Sequence, residues 1–368
     1  MQGGERVPIV PGGTAGTPQP LRPGTGAGGP AQSVDAPLSR SAIFLVVTVA
    51  DGDAGVAAAR DLLGAVDDLV KNVGFRDLGG RLSCVVGVGS DLWDRLSPDV
   101  KPNDLRPFQA IRAAKTAPST PGDLLLHIRA ERYDLCFELE RMALAVLGAA
   151  ATVVDEVAGF RYFDSRDLLG FVDGTANPAG ADIPDAAIVG DDDPVFAGGS
   201  YVVVQRYLHD LDAWNTLAVE EQQRIVGRTK LDNVELDLAH PAHKDLTTIE
   251  DGHGGEYDIL RDNMPYGRPG SGEFGTYFIG YSGRLWVTER MLQRMFAGTP
   301  DAAYDRILDF STAVTGTTFF APTREQLDAL AAGPLPSPAA PPSAAPPPAA
   351  APTAGAGSLG LGALRDPA

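Results

Sequence analysis

The stretch Gly170-Phe171-Val172-Asp173-Gly174-Thr175-Ala176-Asn177-Pro178 sets one carboxylate between two glycines, just ahead of Asn-Pro. That pattern describes a tight loop rather than a helix or a central strand. Glycine lets backbone approach a bound group closely, so such a loop can hold Asp173 at a fixed angle. The plainer reading of the same residues is an Asp that caps a turn by bonding its own backbone. The five histidines are the other candidates for chemistry. His127 lies within an apolar run and reads as a core or strand-face residue, and His209 follows a strand end and reads as a surface residue. His240, His243 and His253 share one irregular segment, and any of them could ligate a cofactor. Their spacings of three and ten fit no common zinc pattern.

The elements that must position these groups follow from hydrophobic periodicity. A run apolar on both faces over residues 43–49 predicts a buried strand. Leu62, Val66, Leu69 and Val73 recur at helical spacing and stop at Gly74. Strands over 82–88 and 124–129, a helix carrying Leu135, Leu139, Met142 and Val146, and a strand over 151–157 complete a β-α-β-β-α-β order. The order recurs: a strand at 201–207, a helix from Trp214 to Val226, a strand at 275–281, a helix at 289–296 and a short strand at 317–320. The fold class expected is therefore α+β, with two ferredoxin-like halves. Between Lys230 and Gly272 runs an irregular stretch far longer than a usual connection, and long loops in compact domains are commonly functional. It holds three of the histidines and the run Arg261-Asp262-Asn263-Met264-Pro265.

The chain has 368 residues, 44% of them hydrophobic, enough to bury a substantial core. A formal net charge of −18 disfavours nucleic acid and anionic lipid as partners. The two cysteines, Cys84 and Cys136, sit apart in apolar segments and read as buried thiols, not a disulfide. With no CxxCH, any haem would be held without thioether links. No secretory pattern and no run of membrane-spanning length is present, so a cytoplasmic location is expected. By composition, 1–38 is a flexible Gly/Pro-rich arm and 326–357 a Pro/Ala linker. Between them lie a first half at 39–165, a connection carrying the Asp motif at 166–199, and a second half at 200–325. Leucines return within 358–368, as Ser358-Leu359-Gly360-Leu361-Gly362-Ala363-Leu364-Arg365, a peptide suited to docking in a groove on another protein.

The glycine-flanked Asp173 motif resembles that of the dye-decolorizing peroxidases. Gly227-Arg228-Thr229-Lys230, His243, the Arg261 run and Gly275-Thr276-Tyr277-Phe278-Ile279-Gly280-Tyr281 resemble the haem-binding segment of their B-type members. The resemblance spans roughly residues 38–325. It implies a dimeric α/β barrel type of fold, haem b held mainly by the second half, and a homo-oligomer. It also implies a peroxidase that reduces hydrogen peroxide and oxidises small aromatic or dye-like donors. In it His243 is the iron ligand, with His240 second because the chain between Arg228 and His243 is short for the pattern. Asp305 is the carboxylate behind the ligand, with Asp309 second. Asp173, Arg261 and Asn263 are the catalytic residues, while Arg228, Arg261, Gly174, Thr175 and Phe278 contact the cofactor. The tail resembles the cargo-loading peptide of encapsulin nanocompartments, implying that the chain is packaged in such a shell through Ser358–Arg365. The alternative is a haem-binding or haem-delivery protein with incidental turnover, and a further rival is a haem-free protein that keeps the fold. A bare carrier would not need Asp173 and Arg261 together.

Overall fold

The computed structural model describes residues 30–337. β1, Ser41–Val49, is buried along nearly its whole length, as a run apolar on both faces requires. α1, Asp53–Gly74, presents Leu62, Leu63, Val66 and Leu69 to the core. β2, Ser83–Gly89, and β3, Leu124–Ala130, follow. α2, Tyr133–Leu147, buries Leu135, Leu139, Ala143 and Leu147, and β4, Ala151–Phe160, ends the first half. These strands pair antiparallel in the order β2-β3-β1-β4, the ferredoxin-like arrangement.

The second half repeats it. β5, Ser200–His209, leads through α3, Val219–Val226, and the short helix α4, His243–Thr247. β6, Leu260–Arg261, β7, Met264–Arg268, and β8, Glu273–Ser282, come next. α5, Leu285–Ala297, β9, Thr317–Ala321, and α6, Arg324–Ala332, complete the element order. Both β6 and β7 pair with β8, and the order onward is β8-β5-β9. β9 then meets β2 through Phe319↔Gly89 and Phe320↔Val88, joining the halves into one sheet. The sheet curls until its far edges touch: a Cβ on Gly159 of β4 would lie 2.6 Å from Cβ of Met264 on β7. Arg206 Nη1 also donates to Asp155 Oδ1 at 3.1 Å across that closure. The result is a barrel filled from both halves by Phe44, Val46, Leu125, Val202, Tyr277, Ile279 and Tyr281.

Three expectations change. The helix expected from Trp214 to Val226 is broken into a short α-helix at Leu211–Asn215 and α3, because Ala218 takes an extended conformation between them. Trp214 and Ile225 still meet in one small cluster with Leu169 and Phe171. The arm at 1–38 is not free throughout, since Gln32 Nε2 donates to Val86 O at 2.8 Å and to Pro322 O at 2.9 Å. Nor does a linker start at 326. Thr323 and Gln326 cap α6 reciprocally, and Leu327 and Leu330 are buried at helical spacing. The tail peptide Ser358–Arg365 lies outside the described residues. Cys84 and Cys136 are free and buried, which pushes both thiols up to about 12. Among the described residues no helix is long and apolar enough to cross a membrane.

Candidate active site

Side chains alternate across a strand, so the residues of β5 and β8 that miss the barrel interior face outward. There Tyr207, His209, Thr276 and Phe278 floor a cavity of about 1660 Å³. The Asp173 loop, α4, α5 and the strand carrying Arg261 form its walls.

His243 opens α4, whose first turn is held by Asp245 Oδ2 accepting from Ala242 N at 2.9 Å. Its Nδ1 lies 2.6 Å from Asp305 Oδ2. A carboxylate only accepts, so Nδ1 carries the hydrogen, and in the neutral ring Nε2 is the nitrogen with the lone pair. Nε2 has no hydrogen-bond partner among the described residues, and the His243 side chain is 25% exposed towards the cavity it lines. Asp305 is fully buried, and its Oδ1 accepts from Ile307 N at 3.0 Å, so its orientation is fixed. Burial alone would lower the His243 pKa, but the charge and hydrogen bond of Asp305 outweigh it and the pKa is raised. Asp309, the second candidate, instead accepts from Lys115 Nζ at 2.7 Å and Tyr304 OH at 3.0 Å. His240 and His253 are exposed and line no part of this cavity. His209 departs from the surface reading. It lines the cavity with Nδ1 2.8 Å from Ser311 Oγ and Nε2 2.9 Å from Thr276 Oγ1, and burial lowers its pKa to about 4.

The Asp173 loop is tied at several points. Gly170 and Gly174 take φ of 92° and 77°, and a side chain at Gly170 would also strike Lys230. Asp173 Oδ1 accepts from Gly174 N at 2.7 Å, the turn-capping bond of the plainer reading, yet the residue also lines the cavity. Asn177 supplies a tie that sequence reasoning missed, although it lies within the motif. Its Nδ2 donates to Arg261 O at 2.6 Å and its Oδ1 accepts from Arg261 N at 3.1 Å, locking the loop to β6. Thr175 Oγ1 accepts from Asn233 Nδ2 at 2.8 Å. Asp167, also missed, accepts from Phe171 N at 2.9 Å and lines the cavity; burial, together with the charge of Asp173, raises its pKa to about 7.

Arg261 forms no ion pair among the described residues, and its Nε reaches only Asn177 Oδ1 at 3.5 Å. Its neighbour Asp262 turns to the opposite face and pairs with Arg129 at 3.0 Å. Asn263 Oδ1 accepts from Ile279 N at 3.1 Å, which leaves its amide NH₂ available. Arg228 lines the cavity but is engaged, donating to Asn233 O at 3.2 Å and pairing with Glu235. The site thus gathers a lone-pair imidazole backed by a buried carboxylate, an unpaired guanidinium, a carboxylate and a free amide. That set suits a large anionic group with a metal at its centre, because the imidazole offers a ligand and Arg261 lacks a counter-charge.

Comparison with known proteins places these features in a family. The profile described as "Dyp-type peroxidase, N-terminal" matches residues 31–161, and "Dyp-type peroxidase, C-terminal" matches 164–326. A dye-decolorizing peroxidase of Rhodococcus erythropolis is 54% identical over 79% of this chain and 86% of its own length. A solved variant of DypB from Rhodococcus jostii RHA1 in complex with heme is 58% identical, with a TM-score of 0.79, covering 81% of this chain and 97% of that one. The encapsulated DyP-type peroxidase of Mycobacterium smegmatis is 52% identical, with a TM-score of 0.80, covering 84% of this chain and all (100%) of that one.

Proposed function

The chain belongs to the Dyp-type peroxidase family and is a haem peroxidase, and on that premise we propose which of its residues do the work. His243 Nε2 would hold the iron of haem b. The observation that carries this is the 2.6 Å bond from Nδ1 to Asp305, which fixes the tautomer and makes the imidazole a stronger donor. Arg261, and Arg228 on exchanging Glu235, would neutralise the propionates, and Gly174, Thr175 and Phe278 would line the pocket that receives the macrocycle. Bound haem supplies the redox equivalents that cleave the O–O bond of peroxide and then oxidise a donor.

The remaining steps belong to the chain's own groups. Asp173 takes the proton from the inner oxygen of peroxide and returns it to the outer one, which leaves as water. Arg261, always cationic, stabilises the negative charge that develops on that oxygen. The amide NH₂ of Asn263 orients peroxide or water. A haem carrier would need the imidazole, its carboxylate and a guanidinium for the propionates, but not a second carboxylate, Asp173, on a loop tied to that guanidinium through Asn177. The test is spectroscopic: the purified protein should show a Soret band that changes within milliseconds of adding peroxide. A missing Soret band would refute the haem reading, and a Soret band indifferent to peroxide would favour the carrier.

The reading extends to packaging. Leu359, Leu361 and Leu364 anchor the tail in a groove of an encapsulin shell, in line with the encapsulated relative. Deleting 338–368 should leave peroxidase activity unchanged and abolish co-purification with a co-expressed shell. Equal loading with and without the tail would make the leucines incidental.

A further inference from the structure

We propose that Tyr281 and His127, inside the barrel and away from the cavity, form a proton-coupled redox site that takes up one oxidising equivalent delivered by peroxide. The inference rests on the haem peroxidase reading above. Tyr281 Oη lies 2.7 Å from His127 Nδ1, and both residues are fully buried. The direction of that bond follows from the other ring nitrogen. His127 Nε2 makes no hydrogen bond among the described residues and lies 3.9 Å from Asp262 Oδ2, the oxygen that accepts from Arg129 Nη1 at 3.0 Å. A lone pair on Nε2 would point at a carboxylate, so the hydrogen sits on Nε2 and Nδ1 accepts from the phenol. Burial, with the charge of Arg129 added, lowers the His127 pKa well below its usual value, so the imidazole rests neutral and Nδ1 keeps a lone pair for the phenol hydrogen bond.

A phenol that loses an electron becomes strongly acidic, and in a dry interior it must pass its proton to a base already within hydrogen-bond reach. Tyr281 has one. Tyr277, on the same strand and equally buried, has a hydroxyl with no partner among the described residues. The pair is therefore selective for one tyrosine of two. In the step itself the O–H bond of Tyr281 breaks, the proton forms an N–H bond at His127 Nδ1, and the electron goes to the oxidised haem centre. The imidazolium then faces Asp262. An electron from the reducing substrate reverses the step and returns the proton. The site is one sheet thickness from the cavity. Tyr281 pairs across β8 with Leu260, the residue before Arg261, and Asp262 lies between Arg261 and Asn263.

Freeze-quench EPR on the haem-loaded protein, with one equivalent of peroxide and ring-deuterated tyrosine as label, reads the radical directly. The parent should give a tyrosyl signal narrowed by the label. Tyr281→Phe should lower its yield at least roughly tenfold, while Tyr277→Phe should leave it, and His127→Gln should lower it because an amide is a far weaker base. High-field EPR of the parent needs no variant: the g-tensor should show a hydrogen bond to the phenoxyl oxygen. An undiminished signal in Tyr281→Phe, a radical with no such hydrogen bond, or no tyrosyl radical in a parent that reacts with peroxide would overturn the proposal. Stopped-flow absorbance on the same samples separates the two readings, since failure there touches the haem site and not the tyrosine.

Discussion

In the first half, α1 and α2, of 22 and 15 residues, lay Leu62, Leu63, Val66, Leu139 and Ala143 across the outer face of the sheet and fill it. In the second half the strand order is the same, but only α5, of 13 residues, covers that face at comparable length. The place of the other long helix is taken by a short α-helix at Leu211–Asn215, α3 and the irregular run that carries His243 and Arg261. The difference is a cavity of about 1660 Å³ over β5 and β8. One arrangement of strands thus gives a stabilising half when its helices are long and continuous. It gives a binding half when one helix is interrupted and its residues become walls.

If that division is right, substitutions in the two halves should fail differently. The largest effect should come from His243→Ala, which should cut the ratio of Soret to protein absorbance roughly tenfold or more, while His240→Ala and His253→Ala retain haem. Retention by His243→Ala with loss in His240→Ala would move the ligand. Next, Arg261→Leu should slow formation of the first oxidised form by roughly 10²–10³, the scale of removing a pre-placed charge or donor. Asp173→Ala should slow it by less, about tenfold, because a water can relay the proton. Both should keep their haem, and stopped-flow traces at the parental rate would remove these residues from the mechanism.

In the first half, Leu139→Ala should cost about 2–5 kcal/mol of stability by denaturant unfolding, with the peroxide reaction of the folded protein unchanged. A matching loss of rate would show that the halves are not separable. The smallest effect concerns pH. Burial first, then the charge of Glu156, raises the Glu140 pKa to about 7, and its Oε1 has no partner. The folded chain keeps a proton that the unfolded chain releases in the ordinary carboxylate range. Stability therefore falls as pH rises from that range to about 7, and is flat above it. Glu140→Gln should raise Tm at pH 8 by about 3 °C and by less at pH 5. Equal shifts at both would refute the assignment.

Much of this was legible in the chain itself. The period-2 and helical patterns located both halves, because burial against a core imposes those periods on the sequence. The glycines around Asp173 announced a turn, and the long stretch after Lys230 announced a loop with a task. Periodicity could not see the break before α3, since Trp214 and Ile225 keep apolar spacing while Ala218 turns the backbone out of the helix. It also read His209 as a surface residue because its partners, Ser311 and Thr276, come from distant strands.

The sequence by itself determined the fold class, the candidate carboxylates and histidines, and the charge balance, all of which are properties of residue type and local spacing. Tertiary structure decided which of them act together. It put Asp305, rather than Asp309, on His243 Nδ1 from 62 positions away, and aimed Arg261 and Asp262 to opposite sides of the sheet. It tied Asn177 to Arg261 across 84 positions and brought His127 of one half onto Tyr281 of the other. Hydrogen bonds are short and directional, so they are fixed only once the strands have set their register, and no local pattern records that register.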